Sequence, residues 1–159
     1  MTTRPEVVAA MLRLAGVKPG EVVYDLGCGD GRIPVAAVKQ FGAARGLGID
    51  FNADRIRDCE RSVAAAGLTP EQAGRLMFKQ GDVLKLTPGD FAEVDVVTLY
   101  LLSSVNDKLA PVLRKGLKPG ARVVSNSFEM GDWKPDREEQ VPTTIGPFRV
   151  MLWTIPSTK

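Results

Sequence analysis

Val22-Val23-Tyr24-Asp25-Leu26-Gly27-Cys28-Gly29-Asp30-Gly31-Arg32-Ile33 is the stretch on which the fold turns. A β-branched run leads into an acidic residue, then into alternating glycines, then into a helical pattern. Glycines let the backbone turn sharply and approach a ligand with no Cβ in the way. The helix that follows presents free N–H groups and the positive end of its dipole. This is a strand–loop–helix site for a ligand that carries adenosine and an anionic group.

Spacing selects the ligand. A dinucleotide fingerprint reads G-x-G-x-x-G, whereas Gly27, Gly29 and Gly31 read G-x-G-x-G. Asp25 stands two positions before the first glycine, where a carboxylate repels a pyrophosphate but holds an ammonium. S-adenosyl-L-methionine has an ammonium, a carboxylate and a sulfonium, and it fits better than NAD. Two further acids follow the same logic. Asp50 ends the next strand, roughly 20 residues on, where a carboxylate accepts ribose hydroxyls. Asp82, in Gln80-Gly81-Asp82-Val83, ends the third and can receive an adenine amino hydrogen.

Outward from this segment, strands and helices alternate. Helices are expected over Pro5–Ala15, Ile33–Phe41, Ala53–Ala66 and Val105–Arg114, from apolar residues at helical spacing. Strands are expected at Glu21–Asp25, Gly46–Asp50, Leu76–Gln80, Asp95–Leu101, Ala121–Ser127 and Phe148–Ile155. Gly131–Pro147 reads as polar loop with a short strand near Glu139–Val141. The repeat predicts an α/β fold: a three-layer, doubly wound, mostly parallel sheet closed by an antiparallel hairpin. A chain of 159 residues suits one domain, 1–159, with residues 1–16 as an N-terminal helix near the cofactor site.

Composition narrows the chemistry. Histidine is absent, which excludes histidine triads and histidine metal sites. Two cysteines, Cys28 and Cys59, are too few for a zinc site and are expected to be free thiols; no metal is expected. A net charge of +2 gives no reason to invoke nucleic acid. No signal-type or membrane-length apolar run is visible, so a cytoplasmic protein with no membrane partner is expected, as monomer or homodimer.

Asp25 to Gly31, Asp50 and Asp82 together resemble motif I, the ribose acid and the adenine acid of the class I S-adenosylmethionine-dependent methyltransferases. The resemblance covers Pro5 to Pro156. It implies a seven-strand sheet whose last strand is antiparallel and lies between the fifth and sixth. It also implies a cofactor site of Asp25, Gly27, Cys28, Gly29, Gly31, Asp50, Phe51, Asp82, Val83 and Tyr100. A NAD-dependent oxidoreductase and a non-catalytic cofactor-binding module are the alternatives.

The acceptor end is less explicit. Tyr100-Leu101-Leu102-Ser103-Ser104 replaces the Asn-Pro-Pro-Tyr of amide- and base-methylating relatives. Tyr100 is the candidate catalytic residue, with core packing as its other reading; Asn126, Glu129 and Asp95 are further candidates near the reacting methyl, though for Asp95, at the start of its strand, a structural role is favoured. Asp-Leu-Gly-Cys-Gly-Asp-Gly-Arg-Ile, the Tyr100–Leu109 segment and Ser127-Phe-Glu-Met-Gly-Asp-Trp-Lys-Pro-Asp resemble a compact group related to mitochondrial protein-lysine methyltransferases. Those act on lysines of the ATP synthase c subunit and the adenine nucleotide translocase. Cys28 stands where they often have serine, and their hydrophobic N-terminal anchor is not found here, so a mitochondrial membrane substrate is not implied. The resemblance implies N-methylation of a protein lysine; a small-molecule acceptor is the other reading. Trp153 is expected in the core, and Trp133, in the loop after the fifth strand, either borders the acceptor entrance or packs against the interior.

Overall fold

The seven strands of the computed structural model run in the order β3-β2-β1-β4-β5-β7-β6. They are β1 Val22–Leu26, β2 Arg45–Asp50, β3 Leu76–Gln80, β4 Val96–Leu99, β5 Arg122–Asn126, β6 Arg137–Val141 and β7 Phe148–Thr154. The first five are parallel, and β7 pairs antiparallel with both β5 and β6. The last strand therefore lies between the fifth and sixth. The structure describes residues 2–157, so Met1, Thr158 and Lys159 of the expected 1–159 span lie outside the described residues.

Side-chain alternation divides the core into two halves. Val23, Val96, Val124, Val150 and Leu152 join α1 (Pro5–Leu14) and α2 (Arg32–Phe41) on one face. Leu26, Val97, Leu99, Val123, Met151 and Trp153 join α5 (Ser103–Gly116) on the other. Every residue of β4 is buried, as expected for a central parallel strand covered on both sides. Trp153 is fully buried, and its indole N–H donates to the Trp133 carbonyl at 2.8 Å.

Four features differ from the sequence reading. The β4 ladder ends at Leu99, so Tyr100 and Leu101 stand beyond the sheet; their apolar character reflects burial rather than strand pairing. Asp95 precedes the strand. It accepts from the Val22 N–H at 2.8 Å and pairs with Lys118 at 2.8 Å, at the amino ends of β1 and β4, opposite the glycine loop. The segment read mostly as loop contains all of β6, an edge strand with four exposed residues, Arg137 to Gln140. Charge on an edge strand discourages pairing with other chains and also removes the apolar alternation by which a strand is read. A short helix, α4 (Pro70–Ala73), follows a capping box of Thr69 and Gln72; its one turn is too short to show periodicity.

Candidate active site

The carboxyl ends of the parallel strands converge on a cleft of about 460 Å³. Its lining includes Gly27, Gly29, Asp50, Phe51, Asp82, Val83 and Tyr100, all singled out by sequence. Gly27, Gly29 and Gly31 all have positive φ, at 77°, 56° and 81°, a region that costs other residues steric strain. The three differ in role. A Cβ on Gly29 would meet no heavy atom within 4 Å, so its bare face opens toward ligand space. A Cβ on Gly27 would come within 2.6 Å of Leu101, and one on Gly31 within 2.9 Å of the Phe78 ring. Gly31 caps α2 and is not among the residues lining the cleft.

Asp50 braces the glycine loop. Its Oδ2 accepts from the Gly29 N–H at 2.9 Å and its Oδ1 from the Asn52 N–H at 3.0 Å. A carboxylate has about four acceptor positions, so two remain for hydroxyl donors. The Ile49 carbonyl accepts from both Gly27 and Cys28 N–H groups, at 2.7 and 2.9 Å, which ties loop to strand. Asp82 caps a short 3₁₀ turn, accepting from the Leu84 N–H at 2.9 Å. Phe51 is 76% exposed beside it, a large apolar surface on the cleft wall.

Asp25 is fully buried beneath this loop. Burial pushes its carboxyl up to about 7; the Thr98 hydroxyl, donating at 2.9 Å, opposes the rise, and the charges of Asp50 and Asp30 add to it. Among the described residues no basic side chain pairs with this buried acid, which leaves it able to receive a cation.

Cys28 takes a different place from the other loop residues. Its sulfur lies 3.7 Å from that of Cys59, which also donates to the Gly29 carbonyl at 3.2 Å. Both thiols are free and buried. The contact with Cys59, then burial, pushes the Cys28 thiol far above the usual range, so it stays a neutral thiol. A Cβ on Gly48 would come within 2.8 Å of the Cys28 sulfur; that glycine makes room for it.

Sequence reasoning missed the N-terminal brace. Arg32 forms a charge-assisted pair with Asp30 at 2.6 Å and donates to the Thr3 carbonyl at 2.8 Å. The Arg32 hydrogen bond holds the Asp30 carboxyl below the usual range. This draws Thr2 and Thr3 over the loop, and Thr2 lines the cleft. Asn52, Arg55, Gly81 and Leu101 also line it. The Asp-Gly-Arg spacing was visible, but its partner, a backbone carbonyl 29 residues away, carries no sequence signal.

Past Tyr100 the wall becomes aromatic. The Tyr100 and Phe128 rings stack with centroids 6.0 Å apart and planes 28° from parallel. Asn126, at the end of β5, is buried and its Nδ2 has no partner. Glu129 is exposed and paired with Arg149 at 2.8 Å. Trp133 is not with Tyr100. It packs on Trp153 at 5.9 Å and under the Arg114 guanidinium at 5.0 Å, lining a separate groove beside α5.

A seven-strand sheet in this order, with a glycine loop and acids at successive strand ends, defines an S-adenosylmethionine-dependent methyltransferase of Rossmann-like fold. Residues 25–137 match the ANTKMT methyltransferase domain, and the chain belongs to that family. A protein-lysine N-methyltransferase of Saccharolobus islandicus is 42% identical over 133 residues, covering 84% of this chain and 78% of that protein. The adenine nucleotide translocase lysine N-methyltransferase of Mus musculus is 33% identical over 128 residues, 80% of this chain. This chain spans about half of that mouse protein, 52%. The crystal structure of an RNA methyltransferase from Salinibacter ruber, in complex with S-adenosyl-L-homocysteine, superposes with a TM-score of 0.87. It is 42% identical, and the match covers 100% of this chain and 96% of that one. The family excludes the NAD-dependent alternative.

The residues present suit the cofactor. Gly29 leaves open the space a Cβ would take, Asp50 keeps two acceptor positions free, and Asp25 is a buried acid with a raised pKa. Among the described residues, no three His, Cys, Asp or Glu side chains gather as a metal site, and no helix is long and apolar enough to cross a membrane.

Proposed function

We propose that this protein methylates the side-chain amine of protein lysines. The observation that carries the reading is the Tyr100–Phe128 stack past the carboxyl ends of β4 and β5, in which Tyr100 lines the cofactor cleft and Phe128 packs on the Tyr100 ring. Aromatic faces accept both the alkyl stem and the nitrogen of a lysine. The two lysine methyltransferases among the relatives support the same acceptor.

S-adenosylmethionine, when bound, supplies a methyl group activated by a positively charged sulfur. Asp50 would hold the ribose hydroxyls, Asp82 with the Val83 backbone the adenine edge, and Phe51 the adenine face. Asp25 would receive the ammonium, with Gly27 and Gly29 admitting the chain of the ligand. Cys28 and Gly31 would act through packing, by fixing the loop to α3 (Ala53–Ala65) and α2.

A lysine ammonium, with a pKa near ~10.4, must lose its proton, here to solvent through a chain of waters, before its neutral nitrogen can attack the methyl carbon as the C–S bond breaks. Contact with the Tyr100 and Phe128 rings removes water and favours the neutral amine. Alignment and exclusion of water then account for most of the catalysis a methyl transfer requires. Tyr100 is the residue proposed to touch the reacting amine.

The name of the Salinibacter ruber relative favours a second reading, methylation of RNA. Against it, Arg55, the α3 arginine that lines the cleft, is paired with Asp58, and Arg55, Arg57 and Arg61 of α3 are balanced in charge by Asp54, Asp58 and Glu60 of the same helix. A nucleic-acid track needs unmatched positive charge. The test is incubation of a cell extract with labelled methyl donor, then separation of protein, RNA and small molecules and acid hydrolysis of the protein. Label is expected as methyl-lysine; label confined to RNA or to a metabolite contradicts the reading.

A further inference from the structure

The corner where β5 ends is built at a cost. Ser127 has φ 72°, the one positive value outside glycine among the described residues. The Phe128 N–H donates back two residues to the Asn126 carbonyl at 2.9 Å. That is a γ-turn of the positive-φ kind, the rare and strained form. β-Branched or other ordinary residues resist this conformation, and strain of this sort persists only where the surroundings over-determine it.

The surroundings do so here. The Ser127 N–H donates to the Arg149 carbonyl at 2.7 Å, which continues the β5–β7 ladder into the turn. The Phe128 carbonyl accepts from the Ser125 hydroxyl at 2.6 Å and from Asn106 Nδ2 at 3.3 Å. Ser127 Oγ donates to Asn126 Oδ1 at 2.8 Å. Two amide atoms of the same corner, Asn106 Oδ1 and Asn126 Nδ2, are buried with no partner. Unpaired buried polar atoms each cost folding stability. Strain and two unpaired atoms within one turn and the helix residue bound to it are not what a corner selected for stability alone would hold. The product of all these contacts is the placement of one side chain. Phe128, half-buried, stacks on Tyr100, which lines the cofactor cleft.

We propose that the Ser127 γ-turn, locked by Asn106 and Ser125 through the Phe128 carbonyl, is a positioning device that sets Phe128 opposite Tyr100 to seat the methyl acceptor. Phe128 is the acceptor-binding residue, and Ser127 and Asn106 act through it. The inference rests on the functional reading above for the chemical class of the acceptor, a lysine side chain. The position of the seat holds for whatever fraction the protein labels.

The experiment compares wild type with Phe128→Ala, Ser127→Gly, Ser127→Val and Asn106→Ala. The acceptor is the extract fraction that the wild-type protein labels, used over a range of concentrations. S-adenosylhomocysteine affinity is measured by calorimetry and Tm by scanning. Phe128→Ala is expected to raise the acceptor KM at least tenfold and to leave S-adenosylhomocysteine affinity within twofold. Ser127→Val should raise KM similarly and lower Tm, because valine resists positive φ. Ser127→Gly keeps the turn without its strain, so it should raise Tm and restore near-wild-type KM. Asn106→Ala should raise KM by less than Phe128→Ala. The inference is overturned if Phe128→Ala keeps the wild-type KM, or if it loses cofactor affinity in proportion to activity. It is also overturned if Ser127→Gly and Ser127→Val behave alike. Wild-type label on RNA or a metabolite defeats the lysine reading, whereas equal KM values across the variants defeat the seat; a wild type that labels nothing defeats both.

Discussion

The two ends of the cleft are made of different materials. At the carboxyl ends of β1, β2 and β3, backbone N–H groups, glycines and carboxylates form a preset frame: Asp50 is already bonded to Gly29 and Asn52, and Asp82 to Leu84. At the carboxyl ends of β4 and β5, the wall is aromatic, the turn is strained and buried amide atoms are unpaired. The first end answers a ligand of fixed shape and charge, so polar groups can be set in advance. On the function proposed above, the second would answer an acceptor that arrives on another molecule, so apolar surface and alignment would matter more than charge. Four predictions can break or sharpen this division.

The largest effect is expected at Gly29. Gly29→Val places a β-branched side chain at φ 56° in space that is open to the cleft, and should abolish S-adenosylhomocysteine binding. Circular dichroism should show a folded protein with a lowered Tm, because valine resists positive φ although no neighbour lies within 4 Å of the new Cβ. Gly31→Ala makes the informative partner. It should lower Tm through its clash with Phe78, with loss of binding no greater than the loss of folded protein. Normal binding by Gly29→Val would mean that the loop is only a turn.

Asp50→Ala comes next. It removes charge-assisted hydrogen bonds worth roughly 1.5–3 kcal/mol, about a 10- to 150-fold loss of affinity. Calorimetry on the folded variant reads this directly, and unchanged affinity would remove Asp50 from the ribose site.

The third prediction concerns pH. Burial raises Asp25 to about 7, so the folded protein without ligand holds a proton that the unfolded chain has lost above the ordinary carboxylate pKa. The unfolded state binds fewer protons in that window, and stability must therefore fall as pH rises from about 4 to about 7. A ligand ammonium favours the ionised acid. S-adenosylhomocysteine affinity should then rise about tenfold from pH 6 to pH 8, flattening above 7. Asp25→Asn should bind more weakly and show a flat profile over this range. A wild-type profile as flat as that of Asp25→Asn would show that the carboxyl does not meet the ammonium.

The smallest functional effect is expected at Trp133. Because it packs on Trp153 and under Arg114, Trp133→Ala should cost about 2 kcal/mol of stability, less than a fully buried tryptophan. The acceptor KM of the remaining folded protein should change less than twofold. A KM effect comparable to that of Phe128→Ala would extend the acceptor end to the groove beside α5.

The division also explains what could be read from the chain. Gly27, Gly29 and Asp50 were legible because backbone geometry demands glycine at positive φ and the sheet topology demands an acid at a strand end. β3 was legible to its boundaries, Leu76 to Gln80, since turn residues flank it. The Ser127 turn was not, because serine at positive φ is imposed by tertiary hydrogen bonds rather than by its own preference. Cys28 and Gly31 of the motif also make packing contacts, with Cys59 and beside Phe78: a motif gives residue spacing but not which side of the loop each side chain faces. Trp133 was placed by sequence proximity to β5, whereas the chain turns away through the Met130–Trp133 bridge.

A crystal structure of this protein with S-adenosylhomocysteine tests the account most directly. It is predicted to show the ribose hydroxyls bonded to Asp50, the adenine between Phe51 and Val83 with its amino group on Asp82, and the sulfur directed toward Tyr100 and Phe128. A ligand whose ribose lies away from Asp50, or whose sulfur points away from the aromatic pair, would contradict it.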